Sequence, residues 1–254
     1  MPSNSHPPPP KRTHRVRLRF GQHFLHEKRV LARIVEAIQP SPVDCIVEIG
    51  PGEGALTRLL LQQTQNVEAV EIDRDLAAGL ERELPGLKVH CADALEFDFA
   101  RFPQGMRLVG NLPYNISTPL LFHLARLAGR VRDMHFMLQL EVVERMVAAP
   151  STPAYGRLSV SLQSKFQMKK LFKVAPGAFR PPPKVESAVV RLQPLDWQLP
   201  IDEDLLRRAF SARRKTLRNA LPEIDFAAAG IDPKLRPENL SPEDYARLSM
   251  NSIL

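Results

Sequence analysis

Val47-Glu48-Ile49-Gly50-Pro51-Gly52-Glu53-Gly54-Ala55-Leu56-Thr57 decides the fold. An apolar run leads into it and a helical pattern leads out, so the glycines fall in a strand-to-helix turn. Gly50, Gly52 and Gly54 let the backbone turn tightly and let a ligand approach without side-chain obstruction. In a doubly wound sheet this turn lies at the carboxyl edge, where ligands bind. The spacing is G-x-G-x-G, whereas dinucleotide sites carry G-x-G-x-x-G with a pyrophosphate on the helix N-terminus. Glu53 inside the turn is a poor neighbour for pyrophosphate and a tolerable one for a sulfonium ligand bearing an ammonium group. The turn therefore favours S-adenosylmethionine, with a nicotinamide dinucleotide as the alternative.

Working outward, strand-like runs at 46–49, 67–72, 87–90, 107–110 and 134–139 alternate with helical patterns near 30–38, 55–63, 74–84, 118–127 and 142–148. Strand then helix, repeated, predicts an α/β fold with a doubly wound, Rossmann-like sheet covered on both faces. A run at 187–192 is expected to complete the sheet edge. Residues 195–200 read as a linker, with Trp197 packing it onto the main domain. From 202 the patterns are helical, and Ser241-Pro242-Glu243-Asp244 reads as a capped helix start. The expected organisation is a basic arm over 1–18, a catalytic domain over 19–195 and a small helical domain over 196–254. The arm combines prolines 7–10 with Lys11, Arg12, Arg15 and Arg17, continued by Arg19, and reads as a disordered tail, either solvated or touching phosphates.

The chain has 254 residues and a formal net charge of +7, which predicts attraction to polyanions rather than a particular chemistry. Neither a membrane-spanning run nor a secretory signal is evident, so a cytoplasmic protein is expected. Cys45 and Cys91 have no metal-ligand spacing and read as small buried hydrophobes. His26, His90, His123 and His135 form no triad or metal pattern and read as structural. No metal site is expected.

Glu71 ends the second strand in Val70-Glu71-Ile72-Asp73, about twenty residues after the turn, where a carboxylate can accept both ribose hydroxyls. Asp93, followed by Ala94 after the third strand, can accept an adenine amino group, although Asp often simply caps a turn. After the fourth strand comes Gly110-Asn111-Leu112-Pro113-Tyr114-Asn115. An adenine amino group is a poor nucleophile because its lone pair is delocalised into the ring. Two acceptors on its hydrogens, the Asn111 side-chain oxygen and the Leu112 carbonyl, can aim that lone pair at a methyl group. Pro113 stiffens the turn, and Tyr114 offers a flat face for stacking. Phe179, before the prolines 181–183, is expected either to sandwich the target base against Tyr114 or to sit in the core.

With these stretches in place, the chain resembles the bacterial small-subunit ribosomal RNA adenine N6,N6-dimethyltransferases, which are related to the erythromycin-resistance methylases. The matching stretches are 20–25, the glycine turn over 48–57, NLPYNISTP over 111–119, YGRLS over 155–159, AFRPPPKVESAVVRL over 178–192 and ARRKTLRN over 212–219. The resemblance covers roughly residues 19–250. It implies two methylations on each of two adjacent adenosines near the 3′ end of small-subunit rRNA, on a late assembly intermediate, by a monomer. It also implies cofactor contacts from His23 and Leu25, in addition to Gly50, Gly52, Glu71, Ile72, Asp93, Ala94 and Asn111. The family usually carries Asn where this chain has His23, and a histidine can still donate or accept a hydrogen bond.

Arg213, Arg214, Lys215 and Arg218 are expected on a helix of the small domain as an rRNA-contacting face, supplemented by Lys165, Lys169, Lys170 and Lys173. A solvated basic helix is the plainer reading. Two further functional readings stand beside the leading one: an erythromycin-resistance type of methylase acting on large-subunit rRNA, and an assembly factor whose binding matters more than its catalysis.

Overall fold

The computed structural model describes residues 22–251. The basic arm expected at 1–18, with Arg19, Phe20 and Gly21, lies outside the described residues.

The strands are β1 (Phe24–Leu25), β2 (Ile46–Ile49), β3 (Val67–Glu71), β4 (Lys88–Cys91), β5 (Met106–Asn111), β6 (Val131–Gln139), β7 (Phe166–Val174), β8 (Phe179–Arg180) and β9 (Ser187–Pro194). The helices are α1 (Lys28–Ile38), α2 (Ala55–Leu61), α3 (Arg74–Glu83), α4 (Ser117–Leu124), α5 (Leu140–Met146), α6 (Arg157–Gln163), α7 (Glu203–Ser211), α8 (Leu217–Ala220), α9 (Phe226–Ala229) and α10 (Pro242–Met250). Seven strands form one sheet in the order β4-β3-β2-β5-β6-β9-β7. The first five are parallel and β9 runs antiparallel to both its neighbours. Strand order reverses between β2 and β5, the switch point at which doubly wound folds bind ligands.

Side chains alternate between the two faces of each strand. On one face Val47, Ile49, Leu108, Phe136 and Val190 pack against Leu120, Leu121, Val142 and Val143 of α4 and α5. On the other, Ile46, Val109, Met137 and Val189 meet Leu31, Ile34 and Ile38 of α1 and Leu56 and Leu60 of α2. A third apolar cluster joins Tyr155 and Val160 to Leu205, Leu206, Leu217, Leu221, Tyr245 and Leu248 of the C-terminal helices. The Tyr155 hydroxyl donates to the Leu240 carbonyl (2.8 Å), and Ser161 Oγ donates to Glu203 (2.8 Å). Tyr155 of the YGRLS stretch and Ser161 of α6 thus anchor the C-terminal helices. The α10 start forms as its residues predict: Ser241 Oγ accepts from the Asp244 amide, and Asp244 accepts from the Ser241 amide.

Several expectations are corrected here. The run at 187–192 is not the sheet edge, because β9 is paired on both sides and β7 is the edge. The β7 sequence FQMKKLFKV hid this, since a register shift between Lys170 and Phe172 breaks its two-residue period. Its exposed lysines discourage another chain from pairing with the free edge. Trp197 does not pack the linker down; it is 79% exposed. Cys91 is exposed rather than buried. Arg213, Arg214 and Lys215 lie in the turn between α7 and α8, and only Arg218 is helical. Among the described residues no helix is long and apolar enough to cross a membrane.

Beneath α1, Arg107 forms a buried ionic junction. Its Nε and Nη2 bond both carboxylate oxygens of Asp133 (2.8 Å each), and its Nη1 bonds Asp44 (2.8 Å) and the Gln39 carbonyl (3.2 Å). Nη2 also donates to the Ile38 carbonyl (2.5 Å), tying the α1 C-terminus to the sheet.

Candidate active site

The glycine turn sits where β2 gives way to α2, and Gly50, Gly52 and Gly54 all take left-handed φ values of 66°, 57° and 77°. At Gly52 an added Cβ would lie 2.8 Å from the Phe24 ring, so the turn and the N-terminal segment are closely fitted. Beside it, a Cβ on Gly110 would lie 2.3 Å from the Ile49 carbonyl oxygen, which is backbone and cannot yield without parting β2 from β5. This close approach delivers Asn111 to the mouth of the turn.

One cavity at the carboxyl edge is lined by His23, Leu25, Gly50, Gly52, Glu71, Ile72, Asp93, Ala94 and Asn111, and also by Leu112, Pro113 and Tyr114. All nine expected cofactor contacts therefore line one cavity, together with the tetrapeptide. Phe179 does not line it. That residue is 2% exposed, pairs with Leu25 across β1 and β8, and packs with Ile34 and Val174 in the core, so the stacking expectation for it is corrected to the core alternative. The physical reason is register: the short β1–β8 pairing turns the side chain inward.

Among the described residues the wall of this cavity carries Glu48, Glu53, Glu71 and Asp93 but no lysine or arginine, on a chain of net charge +7. From the described residues a pyrophosphate would meet four carboxyl groups, whereas a ligand carrying a sulfonium and an ammonium group is matched in sign. Glu71 accepts from the Gly52 amide (3.2 Å) and the Asp73 amide (2.9 Å), which fixes its carboxylate. Burial, reinforced by Asp73, holds its pKa above the usual value despite these bonds. Asp93 Oδ1 caps its own turn through the Leu95 amide (2.9 Å) while still lining the cavity.

Glu48 was not singled out among the candidate site residues. It is buried in β2, accepts from Thr57 Oγ1 (2.6 Å), and has its pKa pushed up to about 7 by burial and by the charge of Glu71. The signal was a carboxylate inside an otherwise apolar, fully buried strand. Ser187, also missed, receives or gives a 2.6 Å hydrogen bond with the Tyr114 hydroxyl; nothing in the sequence pattern announces that pairing.

Asn111 Nδ2 donates to the His23 carbonyl (2.8 Å). The remaining polar atom of that side chain is the acceptor Oδ1. His23 also hydrogen-bonds the Pro181 carbonyl through Nδ1 (2.7 Å), and its ring lies 5.4 Å from that of Tyr114 at 33°. The N-terminal segment, the tetrapeptide and the proline stretch are thus joined at one residue. In the turn after α7, Arg213 is held by Glu238 (2.7 Å) and by the Pro153 carbonyl (3.0 Å), whereas Arg214, Lys215 and Arg218 are exposed.

A carboxylate-lined cavity at the switch point of this sheet, opening on Asn-Leu-Pro-Tyr, defines an S-adenosylmethionine-dependent methyltransferase of the doubly wound class. The profile of the family described as "Ribosomal RNA adenine dimethylase" matches residues 13–252. The chain is 56% identical to "Ribosomal RNA small subunit methyltransferase A" of Aromatoleum aromaticum, over 93% of this chain and 94% of that protein. It is 55% identical to the protein of the same name from Thiobacillus denitrificans, over 93% and 97%. Among solved structures, a dimethyladenosine transferase from Plasmodium falciparum superposes with a TM-score of 0.77 at 26% identity, covering 89% of this chain and 96% of that one. The 23S rRNA methyltransferase ErmE superposes at 0.68 with 27% identity, covering 91% and 100%. The chain belongs to the ribosomal RNA adenine dimethylase family.

Proposed function

We propose that this enzyme dimethylates N6 of two adjacent adenosines near the 3′ end of small-subunit rRNA, acting as a monomer on a late assembly intermediate. Residues 196–254 serve as the rRNA-contacting unit, and Arg214, Lys215 and Arg218 meet phosphates. The observation that carries the chemistry is the commitment of Asn111 Nδ2 to the His23 carbonyl, which leaves Oδ1 as an acceptor on the cavity wall. The small-subunit assignment is supported by relatives at 51–56% identity that bear that name, against 27% for the 23S enzyme.

S-adenosylmethionine, when bound, supplies a methyl group on a sulfonium that leaves as a neutral thioether. Glu71 takes the ribose hydroxyls, Asp93 the adenine amino group, and Glu48 the positive end through the field of its carboxylate. Gly50 and Gly52 let the backbone close on the ligand, while Leu25, Ile72 and Ala94 supply apolar contact. The target adenine stacks on Tyr114, whose ring is held by Ser187 and flanked by His23. Asn111 Oδ1 and the Leu112 carbonyl accept the two amino hydrogens, directing the nitrogen lone pair outward. Positioning of this kind provides most of the rate in an in-line displacement. With the cofactor held there, the nitrogen so directed would take the methyl group as the thioether leaves, and would shed its proton to water.

Tritiated-methyl transfer to immature small subunits, followed by nucleoside analysis, tests the assignment. N6,N6-dimethyladenosine in small-subunit rRNA is expected. Label confined to large-subunit rRNA would move the protein to the erythromycin-resistance type, and particle binding without any label would leave it an assembly factor.

A further inference from the structure

The cavity does not stop at the glycine turn. Its inner end runs beneath α1, where Leu25, Leu31, Ile34, Met137 and Val189 form apolar walls. Two polar side chains face this inner end, Glu48 from β2 and His135 from β6. His135 is 2% exposed, and neither of its ring nitrogens has a hydrogen-bond partner. Its nearest carboxylate oxygen, on Asp133, is 3.6 Å from Nδ1, beyond hydrogen-bonding reach. A buried imidazole without a partner is costly, so a group that completes it is expected at this position.

Register places Glu48 and His135 at one level of the sheet. Glu48 pairs with Val109, and Val109 pairs with His135. The two backbones are therefore roughly 10 Å apart, with the small Val109 between them. Both side chains project from the same face of the sheet, into the cavity that they line.

We propose that the inner end of the cavity is a built water site, in which one or two waters bridge the Glu48 carboxyl group to the His135 imidazole and so make His135 a positioning residue for the cofactor's positive end. The inference rests on the reading of this cavity as the S-adenosylmethionine site. Bridged water solvates the ionised form of Glu48, the form that attracts a sulfonium. Other charged groups stand around His135 as well. Arg107 is engaged by Asp133 and Asp44, Arg191 stands opposite His135 in β9 and 3.9 Å from Asp133, and α1 contributes only Leu31 and Ile34. On the other side, Glu48 faces Thr57 and Glu71. Without the bridge, ionising Glu48 becomes harder and cofactor binding requires a higher pH.

The test is the pH profile of S-adenosylmethionine affinity, measured by calorimetry from pH 6 to 9 on the full chain. The wild-type dissociation constant should fall as pH rises and then level off. His135→Phe should move that midpoint upward by about one pH unit and leave the high-pH plateau within about twofold. His135→Gln, which can still bond water, should return the midpoint toward wild type. A merely structural role would weaken binding equally at every pH, and that result would overturn the proposal, as would an unmoved midpoint in His135→Phe. Should the phenylalanine variant fail to fold, magnetisation transfer from a long-lived internal water to the His135 ring protons in the wild type decides the matter, and its absence overturns the site. Failure of the wild type to bind S-adenosylmethionine at all would instead sink the reading of the whole cavity.

Discussion

Asn111 has a donor end and an acceptor end, and the fold uses them differently. The donor end is tied to the His23 carbonyl at 2.8 Å, so the oxygen is oriented before any substrate arrives. Asn111→Ala removes a preorganised acceptor, and single-turnover methyl transfer should fall by about 10²–10³-fold while binding to immature small subunits persists. An Asn111→Ala enzyme that retains wild-type turnover would exclude the two-acceptor mechanism. Glu48 makes a second prediction at this scale. Its pKa is raised from the ordinary 4.5 to about 7, by burial first and then by Glu71, so the folded state holds a proton that the unfolded state has released. Stability from this group is therefore present below about pH 4.5, declines as pH rises through about 7, and stays reduced above. Glu48→Gln keeps an oxygen for Thr57 and removes the penalty. Urea denaturation of the ligand-free protein should show it more stable than wild type at pH 8, on the order of 3 kcal/mol, and nearly equal at pH 4.5. A gap that is the same at both pH values would rule out this ionisation as the cause.

At the scale of elements, β2, β5 and β6 carry both the site and the junction that keeps it in register. Arg107 bonds Asp133 on β6, Asp44 before β2 and the end of α1, all out of water. Burial opposes the charge on Asp133, yet His135 and Arg107 together hold its pKa down at about 2. Arg107→Ala would strand the buried Asp133 carboxylate and leave Asp44 to Arg132 and the Ser41 amide, and a loss of roughly 3–5 kcal/mol is expected in chemical denaturation. The triple change Arg107→Met, Asp44→Asn and Asp133→Asn leaves no buried charge from this trio and should recover much of that loss. If the triple variant were no better than Arg107→Ala, packing rather than stranded charge would be responsible. The central strands and their helices were legible in advance because hydrophobic periodicity is local information. The edge strand β7 was not, since a bulge and three lysines erase its alternation. The β1–β8 pair was also hidden, because two-residue strands that meet across 154 residues carry no pattern of their own. That pairing is what turned Phe179 into the core.

For the whole molecule, charge is sorted by place. The chain is basic overall, yet among the described residues the cavity wall holds carboxyl groups and no lysine or arginine. The cations that remain free for phosphate lie elsewhere, and only some of those expected are available. Arg213 is spent on Glu238 and Pro153 and acts as a brace for the turn after α7. Reversing Arg214, Lys215 and Arg218 to Glu should therefore weaken binding to the small subunit and flatten its salt dependence by about 0.7–0.9 in logarithmic slope for each lost phosphate contact. S-adenosylmethionine affinity should be unchanged, since none of the three lines the cavity. Filter binding at several salt concentrations measures the first, and calorimetry the second; an unaltered salt slope would place the rRNA contacts on another face.

Local order along the chain was enough to determine the alternation of strands and helices, the tight glycine turn and the capped start at Ser241, because each depends on neighbours a few positions away. Tertiary structure alone decided that Phe179 is buried, that Tyr114 is pinned by Ser187, that Arg213 is a brace and that Glu48 and His135 share a chamber. Each of those outcomes is set by a contact between distant segments, and burial, which governs the cost of every polar group involved, exists only once those segments have met.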